Sequence, residues 1–259
     1  MTWAGAVYEL WRRELLKFGR DASRVGGAIL QPLAIWLLLG FGFRETFHLP
    51  GAAADVPYLE FLFPGIVALV VLFTSIFSTI SIVEERKSGF LQAALAAPAP
   101  RTLLILGTTL GGSTLAIVEA LLFIALMPLS GPTPSLAGIG LMLLATALVG
   151  IAFTALGVTI AWRTRTTRGF HAVMNLFLLP LWVLSGAFFP AQGTAAVLEW
   201  VIRLNPVTYA VDGLRHGMYL PDVPPFAIAS LEASLAVSAV FAFAMVAIAV
   251  HTVNKPLNR

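Results

Sequence analysis

The sequence predicts an all-α integral membrane protein of six spans, and three observations carry that prediction. Of its 259 residues 58% are hydrophobic and 11% charged, with a mean hydropathy of +0.89. Soluble domains carry about 25% charged and about 45–50% apolar residues. Runs free of Asp, Glu, Lys and Arg reach 17 to 43 residues, and about 20 apolar residues take a helix across a hydrocarbon core of about 30 Å. The runs are apolar on every side, whereas a membrane β-barrel strand is about 10 residues long and alternates with period two.

Residues 1–24 come first. Trp3, Val7, Trp11, Leu15 and Phe18 recur at spacings of three and four, while Arg13, Lys17, Arg20 and Arg24 line the opposite side. That is the pattern of a helix lying in the headgroup plane. A signal peptide is the rival reading, but the apolar run begins only at residue 25, is too long, and lacks a clear small-residue cleavage site. Residues 25–259 are then expected to form a single transmembrane domain, with spans near 25–46, 61–83, 102–129, 136–162, 170–190 and 226–251. The 43-residue run Ala120–Trp162 holds two of these helices, divided by the turn-forming Pro128-Leu-Ser-Gly-Pro-Thr-Pro134. Thirteen Lys and Arg fall before the first span, in the second-to-third and fourth-to-fifth connections, and in the tail; Arg44, Arg203 and Arg215 are the three in the alternate connections. Positive charge stays on the cytoplasmic side, so both termini are expected there, in the cell's inner membrane.

Two connections carry structure of their own. In Glu84–Arg101 two acids precede Arg86 and Lys87, which suits a helix N-terminus. Gly89, Phe90, Leu91, Ala94 and Leu95 follow, and Pro98 with Pro100 stops the helix. Its apolar side needs cover, either from the chain's own helices or from a partner. The fifth connection, about 190–225, reads as two short helices parted by Asn205-Pro206. So many apolar side chains beside a membrane are expected to lie on the outer leaflet or to dip into it as re-entrant helices.

The residues assemble no soluble active site. A net charge of +3 spread over many segments does not suggest nucleic acid, and without cysteine there is no thiol or Cys-ligated metal chemistry. The chain has no Gly-Lys dipeptide, hence no phosphate-binding loop, and its four histidines, His48, His171, His216 and His251, are too scattered to share a metal. Gly107-Thr-Thr-Leu-Gly-Gly-Ser-Thr114 resembles such a loop only superficially; small residues there let helices approach closely. Polar groups within the spans are the remaining candidates. Glu119, near mid-depth, is read as lining a path or a dimer seam. For Glu232, His171 and Asn175 the ordinary reading is hydrogen bonding between helices, with path lining as the alternative.

Several segments together carry a resemblance. They are Tyr58-Leu-Glu-Phe-Leu-Phe-Pro-Gly65, Glu84-Glu-Arg-Lys-Ser-Gly89 with Ala96-Ala-Pro-Ala-Pro-Arg101, Leu184-Ser-Gly-Ala-Phe-Phe-Pro190, and Leu204-Asn-Pro-Val-Thr-Tyr-Ala-Val-Asp-Gly-Leu-Arg215. In this order, on a six-span topology, the chain resembles the permease subunit of type-2 ATP-binding-cassette (ABC) exporters, the drug, polysaccharide and nodulation-factor group. The resemblance implies a second permease chain, identical or different, and a separate ATPase subunit that holds ATP and magnesium, with no cofactor on this chain. It also implies that the Glu84–Leu95 helix is the coupling helix on the ATPase, with Glu84, Glu85, Arg86 and Lys87 answering charges there. Asn205, Pro206, Tyr209, Asp212 and Arg215 would belong to short extracellular helices capping the path, and an amphipathic, lipid-like or drug-like cargo would move by alternating access. The rival class is an ion-gradient-driven secondary transporter or channel, for which only Glu119 and Glu232 offer intramembrane acids. A membrane-embedded enzyme would need convergent catalytic groups, and none can be assembled.

Overall fold

A computed structural model describes residues 3–20, 22–47, 56–96 and 100–255. Pro98, read above as a helix stop, lies outside the described residues, as do His48, Arg259 and the side chain of Arg24. Every regular element among the described residues is helical. In chain order they are α1 (Trp3–Arg20), α2 (Ala22–Gly42), α3 (Tyr58–Ser78), α4 (Ile80–Lys87), α5 (Phe90–Ala96), α6 (Thr102–Leu126), α7 (Leu136–Arg163), α8 (Thr167–Trp182), α9 (Ala196–Leu204), α10 (Pro206–Tyr219) and α11 (Leu231–Asn254). Among the described residues five stretches are long and apolar enough to cross a membrane: Tyr58–Lys87, Thr102–Ser130, Leu136–Arg163, Thr167–Ala187 and Leu231–Asn254. Gly26–Gly42, at 17 residues, is a shorter apolar helix at the lower limit of a span.

α3 is apolar on every side, and such a helix is buried. It forms the centre of the bundle, wrapped by α2, α6, α7 and α10, with nearly every side chain from Phe61 to Leu72 out of contact with the surroundings. α7 spans the opposite side of the core and packs on α6, α10 and α11. Small residues set these distances. A Cβ on Gly112 of α6 would stand 2.7 Å from Thr154 Cγ2 of α7, and one on Gly157 would meet Thr79 Cγ2 at 3.0 Å. The chain between α6 and α7 turns through a short 3-10 segment, Met127–Ser130, with Gly131 at φ +123°, and Ser135 caps α7 by accepting from the Gly138 amide at 3.0 Å.

The close approach expected at Gly107–Thr114 has an unexpected occupant. It is the amphipathic α1 that seats there, Leu10 over Gly107 and Glu14 over Gly111, where an added Cβ would stand 2.7 Å from Glu14 Cβ. The indole of Trp11 donates to Thr114 Oγ1 at 3.0 Å. Trp3, Tyr8 and Leu16 stay exposed, so α1 presents one side to the bundle and leaves a mixed aromatic and basic side uncovered.

Several element boundaries differ from the sequence reading: α2 ends at Gly42 rather than near 46, and α8 at Trp182 rather than near 190. The helix expected from Glu84 to Leu95 is two helices: Glu84–Lys87 ends the long α3–α4 rod, Gly89 turns the chain at φ +81°, and α5 starts at Phe90. A left-handed residue cannot continue a right-handed helix, and glycine enters that region at no steric cost. The last long helix begins at Leu231 rather than near 226, with Ser230 as its cap. The amides of Ile228 and Ala229 are already taken by the Asp212 carboxylate at 2.8 and 2.7 Å, which holds this lead-in out of the helix.

Candidate functional site

The four sequence segments that carried the family resemblance fall at two ends of the bundle, and between them lies a cavity. At one end, called here the capped end, three segments lock together. α8 stops at Trp182, and the irregular turn Val183–Ala187, with Gly186 at φ +73°, leaves backbone carbonyls unused. Asn205 answers two of them, its Nδ2 donating to Leu181 O at 2.6 Å and Leu184 O at 2.8 Å, while its Oδ1 accepts from the Val207 amide at 3.0 Å and so starts α10. Pro206 sits at the first helical position, where its missing N–H costs nothing. Tyr209 donates its hydroxyl to Arg203 O at 2.8 Å, closing α9 onto α10.

Tyr58 and Gly65 of the first segment belong to the same junction. The Tyr58 hydroxyl donates to Phe188 O at 2.8 Å, the Trp182 indole donates to Gly65 O at 2.7 Å, and a Cβ on Gly65 would stand 2.7 Å from Ala187 Cβ. Asp212 and Arg215 are fully buried and paired at 2.9 Å. Arg215 Nη2 also donates to Gly186 O at 2.6 Å, and Nη1 to Phe226 O at 3.3 Å. Its guanidinium lies 5.2 Å from the Phe61 ring and 5.0 Å from that of Phe226. Burial lowers this guanidinium from its ordinary pKa, and Asp212 pulls it back up.

The opposite end carries the basic residues. Glu85 accepts from Lys17 and from Arg13, the latter at 3.0 Å, and Arg13 also reaches Glu14 at 2.8 Å. Glu14 is buried and receives a hydrogen bond from Ser81 at 3.2 Å. Arg86 donates to Thr164 O at 2.6 Å and Trp162 O at 2.7 Å, which satisfies terminal carbonyls of α7 where a cation also complements the helix dipole. Lys87 lies 3.5 Å from Thr167 Oγ1. Glu85 and Arg86, expected to answer charges on a partner, therefore have partners within their own chain. Glu84 and Lys87 remain exposed, as does Phe90, over which Arg13 sits at 5.1 Å, whereas Leu91 is buried.

Between the ends, α2, α3 and α8 frame a cavity of about 640 Å³, lined toward the basic end by Phe18, Ile80 and Glu84. His171, Asn175, Leu179 and Trp182 supply one face of α8, and Gln31, Pro32 and Ile35 face them from α2. His171 Nδ1 is 2.8 Å from Thr167 O; the carbonyl can only accept, so Nδ1 carries the proton. Its ring stacks on Phe77 at 5.3 Å. His171 and Asn175, for which hydrogen bonding between helices is the ordinary reading, both line this wall, and sequence reading misses Gln31, the lone carboxamide in the run Val25–Phe43. A polar side chain in mid-span was the available signal. Glu119 is not on this wall. It is buried one layer behind, accepting a hydrogen bond from Thr74, which does form the wall. Glu232 is elsewhere, exposed in the first turn of α11.

Five long apolar helices among the described residues, with a part-polar face, define the class: a multi-pass helical membrane protein. Residues 5–219 match the ABC-2 type transporter family, and the chain belongs to it. It is 28% identical over 241 residues to Nodulation protein J of Sinorhizobium fredii (strain NBRC 101917 / NGR234), covering 90% of this chain and 88% of that one. It is 28% identical over 215 residues to the transport permease ycf38 of Pyropia yezoensis, covering 81% and 70%. To the multidrug ABC transporter permease YbhR of Escherichia coli (strain K12) it is 21% identical over 169 residues, covering 65% and 46%. The chain is a membrane transport permease of the ABC-2 type.

Proposed function

We propose that this chain is the membrane subunit of an exporter in the cell's inner membrane. It has six spans, with Gly26–Gly42 as the first and both termini cytoplasmic, and it is driven by a separate ATPase that binds ATP and magnesium. The observation that carries the reading is the face between α2 and α8. His171, Asn175, Gln31 and Glu84 lie there among Phe73, Phe77 and Trp182, with Leu38, Leu176 and Phe177 exposed on the flanking surfaces. Polar groups are costly against acyl chains and belong on a face shared with protein or water. A second permease chain, identical or different, set against this face would enclose a path whose mixed lining suits an amphipathic, lipid-like or drug-like cargo.

The basic end is the ATPase side. Exposed Phe90 on α5, beside Arg13 and close to Glu84 and Lys87, offers an apolar contact with charges around it. Closure of the ATPase would push α5 and α4, and the rigid α3–α4 rod would carry that push the length of the bundle. The test is reconstitution of the chain with its co-purified ATPase in liposomes containing a headgroup-labelled fluorescent phospholipid. ATP-dependent movement of the probe that falls in H171A/N175A is expected. Vectorial movement of solute in nucleotide-free liposomes lacking any second subunit would overturn the reading in favour of a gradient-driven transporter.

A further inference from the structure

The capped end holds two full charges with no exposure, and the transport reading gives them no task. A buried ion pair is weak support for stability, because well-packed apolar residues in its place do as well or better. Geometry is what the pair supplies. Arg215 extends one guanidinium to three addresses: Asp212 on its own helix, Gly186 in the turn after α8, and Phe226 in the lead-in to α11. Asp212 extends its other oxygen to the amides of Ile228 and Ala229. Phe61 of α3 and Phe226 flank the guanidinium. A planar fork of donors can bridge divergent carbonyls in this way and an ammonium cannot.

On the far side α10 is pressed against α7. A Cβ on Gly213 would stand 3.1 Å from Ala145 Cβ, and one on Gly217 would stand 2.8 Å from Gly138 O. We propose that Asp212 and Arg215 are a positioning pair. They bind α10, the break after α8 and the lead-in to α11 into one body with α3 and α7. The path at the capped end then opens between two such bodies, not by α9 and α10 lifting from their own bundle. The first half stands on this chain alone; the second rests on the two-chain transport reading.

Hydrogen exchange on the full-length chain in lipid nanodiscs tests the first half through R215K, which keeps the charge but loses the fork. Exchange in residues 183–188 is expected to rise by about tenfold or more, while Ile228 and Ala229, held by Asp212, change by less than about threefold. R215M, which frees Asp212 as well, is expected to loosen both segments, and if it fails to fold, R215K decides alone. Protection of 183–188 within about twofold of the parent in R215K would overturn the clamp.

The second half is tested by a disulfide across α7 and α10, in a chain that has no cysteine of its own. In A145C/G213C the two Cβ atoms need to part only slightly to reach the about 3.5–4.5 Å that a disulfide prefers. ATP-driven movement of the fluorescent phospholipid is expected to survive oxidation. Loss on oxidation with recovery on reduction would show that α10 must leave α7, and the proposal would fall. If the parent itself moves no probe, the transport reading fails, and the exchange measurement still decides the clamp.

Discussion

The two ends of the bundle both gather charges, and they use them differently. At the capped end Asp212 and Arg215 are sealed from solvent and every contact is internal. At the basic end Arg13, Lys17, Glu14 and Glu85 also pair within the chain; the acids Glu14 and Glu85 are nearly covered, but the side chains of their cationic partners Lys17 and Arg13 are 40% and 25% exposed. Removing one member of a sealed pair strands a charge in a low dielectric, whereas an exposed pair exchanges readily with water and is screened by salt. The capped end is therefore built to keep one arrangement, and the basic end can trade partners. That division suits a machine in which one end receives a moving subunit.

The sharpest break would come at Arg215. R215M is expected to lower stability in detergent by about 3–5 kcal/mol, since it leaves the Asp212 carboxylate buried without its counter-charge. D212L/R215M should regain most of that loss, and a double variant as unstable as the single one would contradict the stranded-charge account. The seat of α1 comes next. G111L places a side chain where Glu14 now lies, and overpacking of this kind costs about 1–3 kcal/mol. Limited trypsin digestion should then cut faster at Arg12, Arg13 and Lys17. E85Q is expected to lower stability by no more than about 1 kcal/mol. Melting curves should show this difference at low salt and lose it at high salt. H171A/N175A is expected to leave the melting temperature unmoved, within about 0.5 kcal/mol, while ATP-driven movement of the labelled phospholipid falls. A change in stability without a change in transport would return both residues to scaffolding.

How much of this was legible depended on how far apart the partners lie in the chain. The apolar runs and the Pro128–Pro134 turn are local, and five of the six expected spans coincide with helices long and apolar enough to cross a membrane. Asn205-Pro206 was legible as a break because the cap and the missing N–H act on neighbours. The roles of Asp212 and Arg215 were not, because the carbonyls and amides they hold lie 11 to 29 residues away. Glu85 was legible as a charge beside a helix end, but Lys17 is 68 residues earlier and Arg13 is on the same helix, so an internal pairing could not be told from an external one. Gly107 and Gly111 announced a close approach without naming the helix that makes it. Glu119 was the costliest intramembrane acid by depth, and depth alone cannot distinguish a wall residue from one a layer behind.

The seat of α1 on α6 also fixes an order of events during synthesis. α1 is made about a hundred residues before its resting place, Gly107 to Thr114. Until then the side that Leu10, Trp11 and Glu14 present to α6 lacks that partner. The nascent chain must therefore make α2 and α3 before α6 exists, and only afterwards can α1 take its seat.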